Sequence, residues 1–220
     1  MNRRTAGVAG GAGCPELSFA TPTGGLVPFF LKKQENHTFR FWYRPWKKEL
    51  TFLREYLNIL KFVKLGIPTQ ELVYFGETVV AGNRRAILLT RELSGYHSLQ
   101  HWVERWEEHG WPSESERKRI ASSLGRAVHK LHRHRWVHRC LYPKHIFVKI
   151  EEGEVDVRFI DLEKARQRSF HHSGMLGDLG SLYRRSRAWP LRERVLFFRE
   201  YFDVETLGRR EKEIWKVLSE

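Results

Sequence analysis

The hydrophobic positions of this chain change period several times, and each change predicts an element. Residues 26–33, Leu-Val-Pro-Phe-Phe-Leu-Lys-Lys, are apolar up to two closing lysines and predict a strand, with Pro28 placing it at a sheet edge or in the strand's first part. From residue 47 to 64, Leu50, Leu53, Leu57 and Leu60 recur at helical spacing, and Gly66 ends the helix. Residues 70–76 and 79–92 read as strands, with turns around Gly76 and at Ala81-Gly82-Asn83. The apolar run 86–93 predicts a buried strand, and Gly95 after it relaxes the chain at a boundary between two lobes. A short helix over 99–106 is broken by Trp111-Pro112. Ser113 and Glu116 then form a capping box for a long amphipathic helix through Ile120, Leu124, Val128 and Leu131. Two apolar strands, 146–150 and 155–160, flank a polar turn at 151–154 and form a hairpin. Further helical patterns begin at Asp178 and cover 190–202 and 211–218. The resulting α+β organisation has a flexible segment at 1–25, an N-terminal lobe at 26–94 and a C-terminal lobe at 95–220.

Composition narrows the partners. A chain of 220 residues can bury a core in one domain or two small lobes. A net charge of +13 points to a negatively charged partner: nucleic acid, an anionic membrane face or a phosphorylated substrate. Charge alone selects none of the three, and a generally basic surface gives the same figure. Two cysteines, Cys14 and Cys140, are too few for a disulfide framework or a Cys-rich zinc site and suit a reducing cytoplasm. No apolar run reaches the roughly 18 residues that span a bilayer. Arg3 and Arg4 are followed by no hydrophobic core, so the N-terminus does not read as a secretory signal.

The hairpin concentrates the chemistry. His138-Arg139-Cys140-Leu141-Tyr142-Pro143-Lys144-His145 opens directly into its first strand, and its second strand ends at Asp161. Antiparallel pairing brings His145 close to Asp161. Two such groups at adjacent strand ends suit one divalent cation and a phosphate.

This arrangement resembles the catalytic centre of protein-kinase-like folds, where H-R-D-x-x-x-x-N is followed, after a short hairpin, by a second aspartate. His138 and Arg139 match; His145 stands at the Asn position and Asp161 at the second Asp, followed by Leu162 rather than Phe-Gly. His145 together with Ile160-Asp161-Leu162 is similar to the lipopolysaccharide kinase family of Gram-negative bacteria, which phosphorylates heptose or Kdo sugars of the lipopolysaccharide core. The run Cys140 to His145 resembles its InaA-like branch. The resemblance covers about residues 28–205 and implies a two-lobed protein-kinase-like fold with a short C-terminal lobe and a truncated N-terminal lobe. It implies ATP and Mg²⁺ as cofactors, with Lys32, in Phe-Leu-Lys-Lys-Gln-Glu-Asn-His, holding the phosphates. Glu55, in Arg-Glu-Tyr, would orient that lysine in preference to Glu49, while His145 and Asp161 would hold the metal. The pattern departs at Cys140, which occupies the position of the catalytic aspartate. A thiol with an ordinary pKa of about 8.5 is mostly neutral at pH 7 and is a weak hydrogen-bond acceptor.

Three functions therefore stand side by side. The leading one is an ATP-dependent sugar kinase working on the lipopolysaccharide glycolipid, cytoplasmic and peripheral on the inner membrane. A second is a pseudokinase that has lost transfer with its aspartate and serves as a nucleotide-binding or scaffold protein. A third is a nucleic-acid binder using the aromatic and basic residues 40–48, which also suit an interfacial membrane patch or packing beneath the following helix. The short C-terminal lobe leaves no large peptide-binding surface and argues against a protein substrate. Gly7, Gly10, Gly11 and Gly13 fail the G-x-G-x-x-G spacing of a phosphate-covering loop. His129, His132, His134 and His138 lack a carboxylate or cysteine to complete a zinc set and read as surface or packed histidines. Asp178 either braces the catalytic loop or caps a helix.

Overall fold

A computed structural model describes residues 16–20, 26–41, 44–168 and 172–219, so the N-terminal glycines lie outside the described residues. The chain divides into two compact units, residues 1–61 with 70–94 and residues 62–69 with 95–220.

The first unit holds β1 (Glu16–Ala20), β2 (Leu26–Glu35), β3 (Thr38–Phe41), β4 (Arg44–Leu50), most of α1 (Thr51–Leu65), β5 (Leu72–Val80) and β6 (Asn83–Arg91). Its main sheet is antiparallel with the order β1-β2-β6-β5. Residues 16–20, which composition assigns to a flexible segment, pair along β2 from Glu16↔Phe30 to Ala20↔Leu26. Pro28 lies in the first part of β2, one of the two expected placements; the other, a sheet edge, does not hold, since β2 has neighbours on both sides and the β2–β6 ladder starts one residue later, at Phe29↔Arg91. Ala81 and Gly82 both have positive φ, 49° and 77°, as a two-residue hairpin turn requires. Gly76 lies inside β5, opposite Ile87, and makes no turn.

The helix expected from residue 47 begins at Thr51, because residues 47–50 belong to β4. Its start is set from outside its own sequence. The Gln34 side chain accepts from Phe52 N at 3.0 Å and the His37 carbonyl from Thr51 N at 3.0 Å, giving partners to the donors a helix start leaves open. The buried stripe of α1 is Glu55, Asn58, Ile59 and Phe62, while Leu60 is exposed. Gly66, at φ 63°, ends the helix with paired bonds from Gly66 N to Val63 O and from Ile67 N to Phe62 O.

The second unit contains the end of α1, then β7 (His97–Ser98), α2 (Leu99–His109), α3 (Glu114–Arg133), β8 (Trp136–Val137), β9 (Ile146–Glu151), β10 (Glu154–Phe159), β11 (Arg166–Gln167), α4 (His172–Arg184), α5 (Leu191–Phe202) and α6 (Arg209–Ser219). Ser113 caps α3 by accepting from Glu116 N at 3.2 Å. Ile120, Leu124, Val128 and Leu131 form its buried stripe, as the period predicts. β9 and β10 pair from Glu151↔Glu154 back to Ile146↔Phe159, which sets residue 145 beside residue 160. α3 meets α5 at Gly125, where a Cβ would lie 2.6 Å from the Phe197 carbonyl oxygen and 2.7 Å from Glu200 Cβ.

That contact and the open one at Gly177 give opposite expectations for the same substitution. Gly125→Ala gains helix propensity of about 1 kcal/mol but overpacks against backbone, and the net effect is destabilisation by about 1–2 kcal/mol. Gly177→Ala, with nothing within 4 Å of its Cβ, gains about 0.5–1 kcal/mol. Urea unfolding midpoints of both variants against the native chain check the pair.

Candidate active site

In the first unit, Lys32 sits on β2 opposite Leu88, a fully buried residue of β6, so both side chains leave the same face of the sheet. Lys33 points to the other face, paired with the more exposed Ile87. Lys32 Nζ reaches Glu55 Oε1 at 2.7 Å, and Glu55 is buried on the inward stripe of α1. Glu49, the other candidate partner, is in β4 instead of on the helix and binds Lys47 and Arg84. Those two cations hold the Glu49 carboxyl below its ordinary value, the Lys47 hydrogen bond being the larger cause.

In the second unit, the loop from His138 to His145 is fixed from beneath by Asp178. This residue lies in the middle of α4, not at its cap, and is 1% exposed. Its Oδ2 accepts from His138 N at 2.6 Å and its Oδ1 from Arg139 N at 2.7 Å. Each hydrogen bond to a buried charge contributes about 1.5–3 kcal/mol. Together they offset the left-handed backbone of Arg139, φ 67°, which costs a non-glycine residue about 1–3 kcal/mol. His132 Nε2 donates to the same carboxylate at 3.2 Å. Its Nδ1, then unprotonated, accepts from the Tyr201 hydroxyl at 2.8 Å. Burial, with Asp178 close by, pushes the Tyr201 phenol far above its ordinary value, so it stays a donor.

The same loop is tied to the end of β10. His138 Nε2 donates to the Ile160 carbonyl at 3.0 Å, and Ile160 N donates to the His145 carbonyl at 3.1 Å. Thr69 Oγ1 donates to the Phe159 carbonyl at 2.9 Å, and Phe159 N to the Pro68 carbonyl at 3.1 Å. Asp161 follows in the left-handed region, φ 59° and ψ 55°. The two residues before it, Phe159 and Ile160, are both anchored by these bonds.

His145 and Asp161 do come together, with Nε2 and Oδ2 3.4 Å apart. Nδ1 of His145 lies 2.9 Å from the Cys140 carbonyl, which can only accept, so Nδ1 carries a proton. A neutral ring then turns the Nε2 lone pair toward a carboxylate oxygen. Two lone pairs facing each other at that distance call for a cation between them, either a proton on Nε2 or a metal ion. The pair fits a divalent cation whose other positions are filled by oxygens, although an imidazole is a softer ligand than Mg²⁺ prefers. Among the described residues no group of three or more His, Cys, Asp or Glu is placed to hold a metal. Of the histidines in the run, His132 and His138 are buried, and His129 Nδ1 lies 2.7 Å from the Tyr201 carbonyl. Cys140 is 8% exposed and brings no carboxylate to the loop.

Two participants escape sequence reasoning altogether. Tyr201 lies 69 residues from His132, and Thr69 lies 90 from Phe159; neither sits in a motif.

A family model described as the lipopolysaccharide kinase (Kdo/WaaP) family matches residues 17–201. Protein InaA of Escherichia coli (strain K12) is 31% identical over 140 residues, and the match spans 63% of this chain and 63% of that protein's length. A solved structure described as WaaP in complex with acyl carrier protein matches with a TM-score of 0.68 and 19% identity, over 96% of this chain and 85% of that one. The fold is α+β and protein-kinase-like.

Burial makes His138 a source of pH dependence. It pushes the imidazole below its ordinary value of 6.5, against a smaller opposing pull from Asp178. Below pH 6.5 the unfolded chain takes up a proton that the folded chain refuses, so this contribution to stability is complete above that pH and lost as pH falls beneath it. The melting temperature is expected to drop between pH 7 and pH 5, and His138→Gln, which keeps a donor for Ile160, to show a shallower drop.

Proposed function

Because the chain belongs to the lipopolysaccharide kinase (Kdo/WaaP) family, we propose that it is an ATP-dependent kinase acting on a heptose or Kdo hydroxyl of the lipopolysaccharide core. The observation that carries this reading is the His145–Asp161 pair, two acceptors held 3.4 Å apart as if around a cation. The chemistry to be served is phosphoryl transfer, which asks a protein mainly for positioning and charge neutralisation. Lys32, oriented by Glu55, holds phosphate oxygens; Asp161 supplies an oxygen ligand to Mg²⁺ and His145 a nitrogen. ATP, when bound, supplies the phosphoryl group. The acceptor is a glycolipid, which places the protein at the cytoplasmic face of the inner membrane.

A second reading, a pseudokinase that keeps the nucleotide and has lost transfer, is favoured by Cys140. An acceptor hydroxyl needs a group to orient it and take its proton, and a buried thiol is poorly suited to either task. Loss of that group lowers the rate by orders of magnitude without altering nucleotide binding.

A thermal-shift titration with ATP and Mg²⁺ tests both readings. Magnesium-dependent stabilisation of the native protein, about 2.7 kcal/mol at a hundredfold excess over Kd, should disappear in Asp161→Ala. Absence of a shift in the native protein would rule out a nucleotide site of this kind. If the shift is present but no phosphate reaches a core oligosaccharide, Cys140→Asp should restore transfer. Failure of that variant would mean Cys140 is not the sole defect.

A further inference from the structure

The β3–β4 hairpin of the first unit carries charge that the fold leaves uncompensated. Arg40 and Lys48 are directly opposed across the two strands, so their side chains leave the same face. Both are exposed, and neither has an ion-pair partner among the described residues. Like charges in that position destabilise a hairpin. The neighbouring charges are satisfied: Lys47 reaches Glu49 at 2.6 Å, and Arg84 reaches the other oxygen of Glu49 at 3.3 Å.

One step further along, the ladder breaks. Lys48 pairs with Arg40 and Arg44 with Phe41, so residues 45–47 bulge from the strand, with Pro45 unable to donate to the ladder. Trp46 stands in that bulge at 78% exposure, the highest value among the exposed large hydrophobic residues described. Trp106, Trp136 and Trp189, by contrast, are each at most 6% exposed. An indole held in water beside two unpaired cations has the composition of a membrane interface, where indoles sit at headgroup level and Lys or Arg meet anionic lipid.

We propose that the β3–β4 hairpin docks the protein onto an anionic bilayer, with Trp46 in the headgroup layer and Arg40 and Lys48 against lipid phosphates. A lipid surface suits the hairpin better than a single-stranded nucleic acid. Nucleic-acid grooves present successive aromatic platforms to successive bases, and the described part of this hairpin exposes one large aromatic side chain. The docking claim stands apart from the kinase reading, since it rests on the hairpin alone.

Cosedimentation with vesicles tests it, using phosphatidylglycerol mixed with phosphatidylcholine against phosphatidylcholine alone. Native protein should bind only the anionic vesicles. Arg40→Gln with Lys48→Gln should weaken partitioning about 30-fold, from roughly a factor of five for each cation near the surface. Arg210→Gln with Lys212→Gln, two exposed cations of the second unit, removes the same charge and should change partitioning less than about threefold. Trp46→Ala, which changes no charge, should also weaken it. Equal losses from both double variants would overturn the proposal in favour of diffuse attraction by the +13 chain. So would absence of vesicle binding, or hairpin-dependent binding of a single-stranded oligonucleotide in its place. Unchanged melting curves establish that the variants fold, and the ATP–Mg²⁺ shift, measured on the same variants, separates failure of docking from failure of the kinase reading.

Discussion

One buried carboxylate holds the loop from His138 to His145 in shape. Asp178 accepts from two consecutive backbone N–H groups, at 2.6 and 2.7 Å, and from the ring of His132 at 3.2 Å. An unpaired carboxylate at this depth would be strongly disfavoured, so its three donors and its charge are mutually dependent. The consequence runs outward. With the backbone of His138 and Arg139 fixed, the His138 ring can reach the carbonyl of Ile160, and the residue after Ile160 is Asp161. A side chain in the middle of α4 therefore sets the position of a candidate metal ligand at the end of β10 without touching it. Tyr201 and His132 add to this by fixing which nitrogen faces the carboxylate.

The two charged pairs solve different problems. Lys32 and Glu55 form an ion pair between Nζ and Oε1 at 2.7 Å, with the carboxylate buried. His145 and Asp161 face each other at 3.4 Å, and because Nδ1 is turned to the Cys140 carbonyl, the position between Nε2 and Oδ2 suits a cation, either a proton or a metal ion. On the proposed kinase reading, the first pair orients the lysine and the second offers a place for a cation. Charge-neutralising groups of both kinds are what phosphoryl transfer demands of a protein.

What the sequence revealed follows from the range of the interactions involved. The β9–β10 hairpin, the capping box at Ser113 and the stripe of α3 depend on neighbours within a few residues, and all are legible. Hairpin register brings His145 beside the residue before Asp161, so their proximity is legible from spacing. The start of α1 was misplaced by four residues because Gln34 and His37, from the preceding strand and turn, choose where it begins. Its stripe was read from leucines, whereas the buried face is organised around Glu55, whose burial depends on a lysine 23 residues away. β1 looks like a tail until β2 offers it an edge. Asp178 could be named but not assigned between cap and brace, since its partners lie 39 and 40 residues earlier.

Cys140 has a consequence that its side chain alone does not suggest. Position 140 serves the loop through its backbone: the carbonyl accepts from His145 Nδ1 at 2.9 Å and from Tyr142 N at 2.8 Å. Neither bond depends on which side chain is present. Replacing a carboxylate there leaves the tautomer of His145, the turn that carries it and the approach to Asp161 intact. The position of His145 is thus set by main-chain and Asp178 contacts that do not involve the side chain at 140.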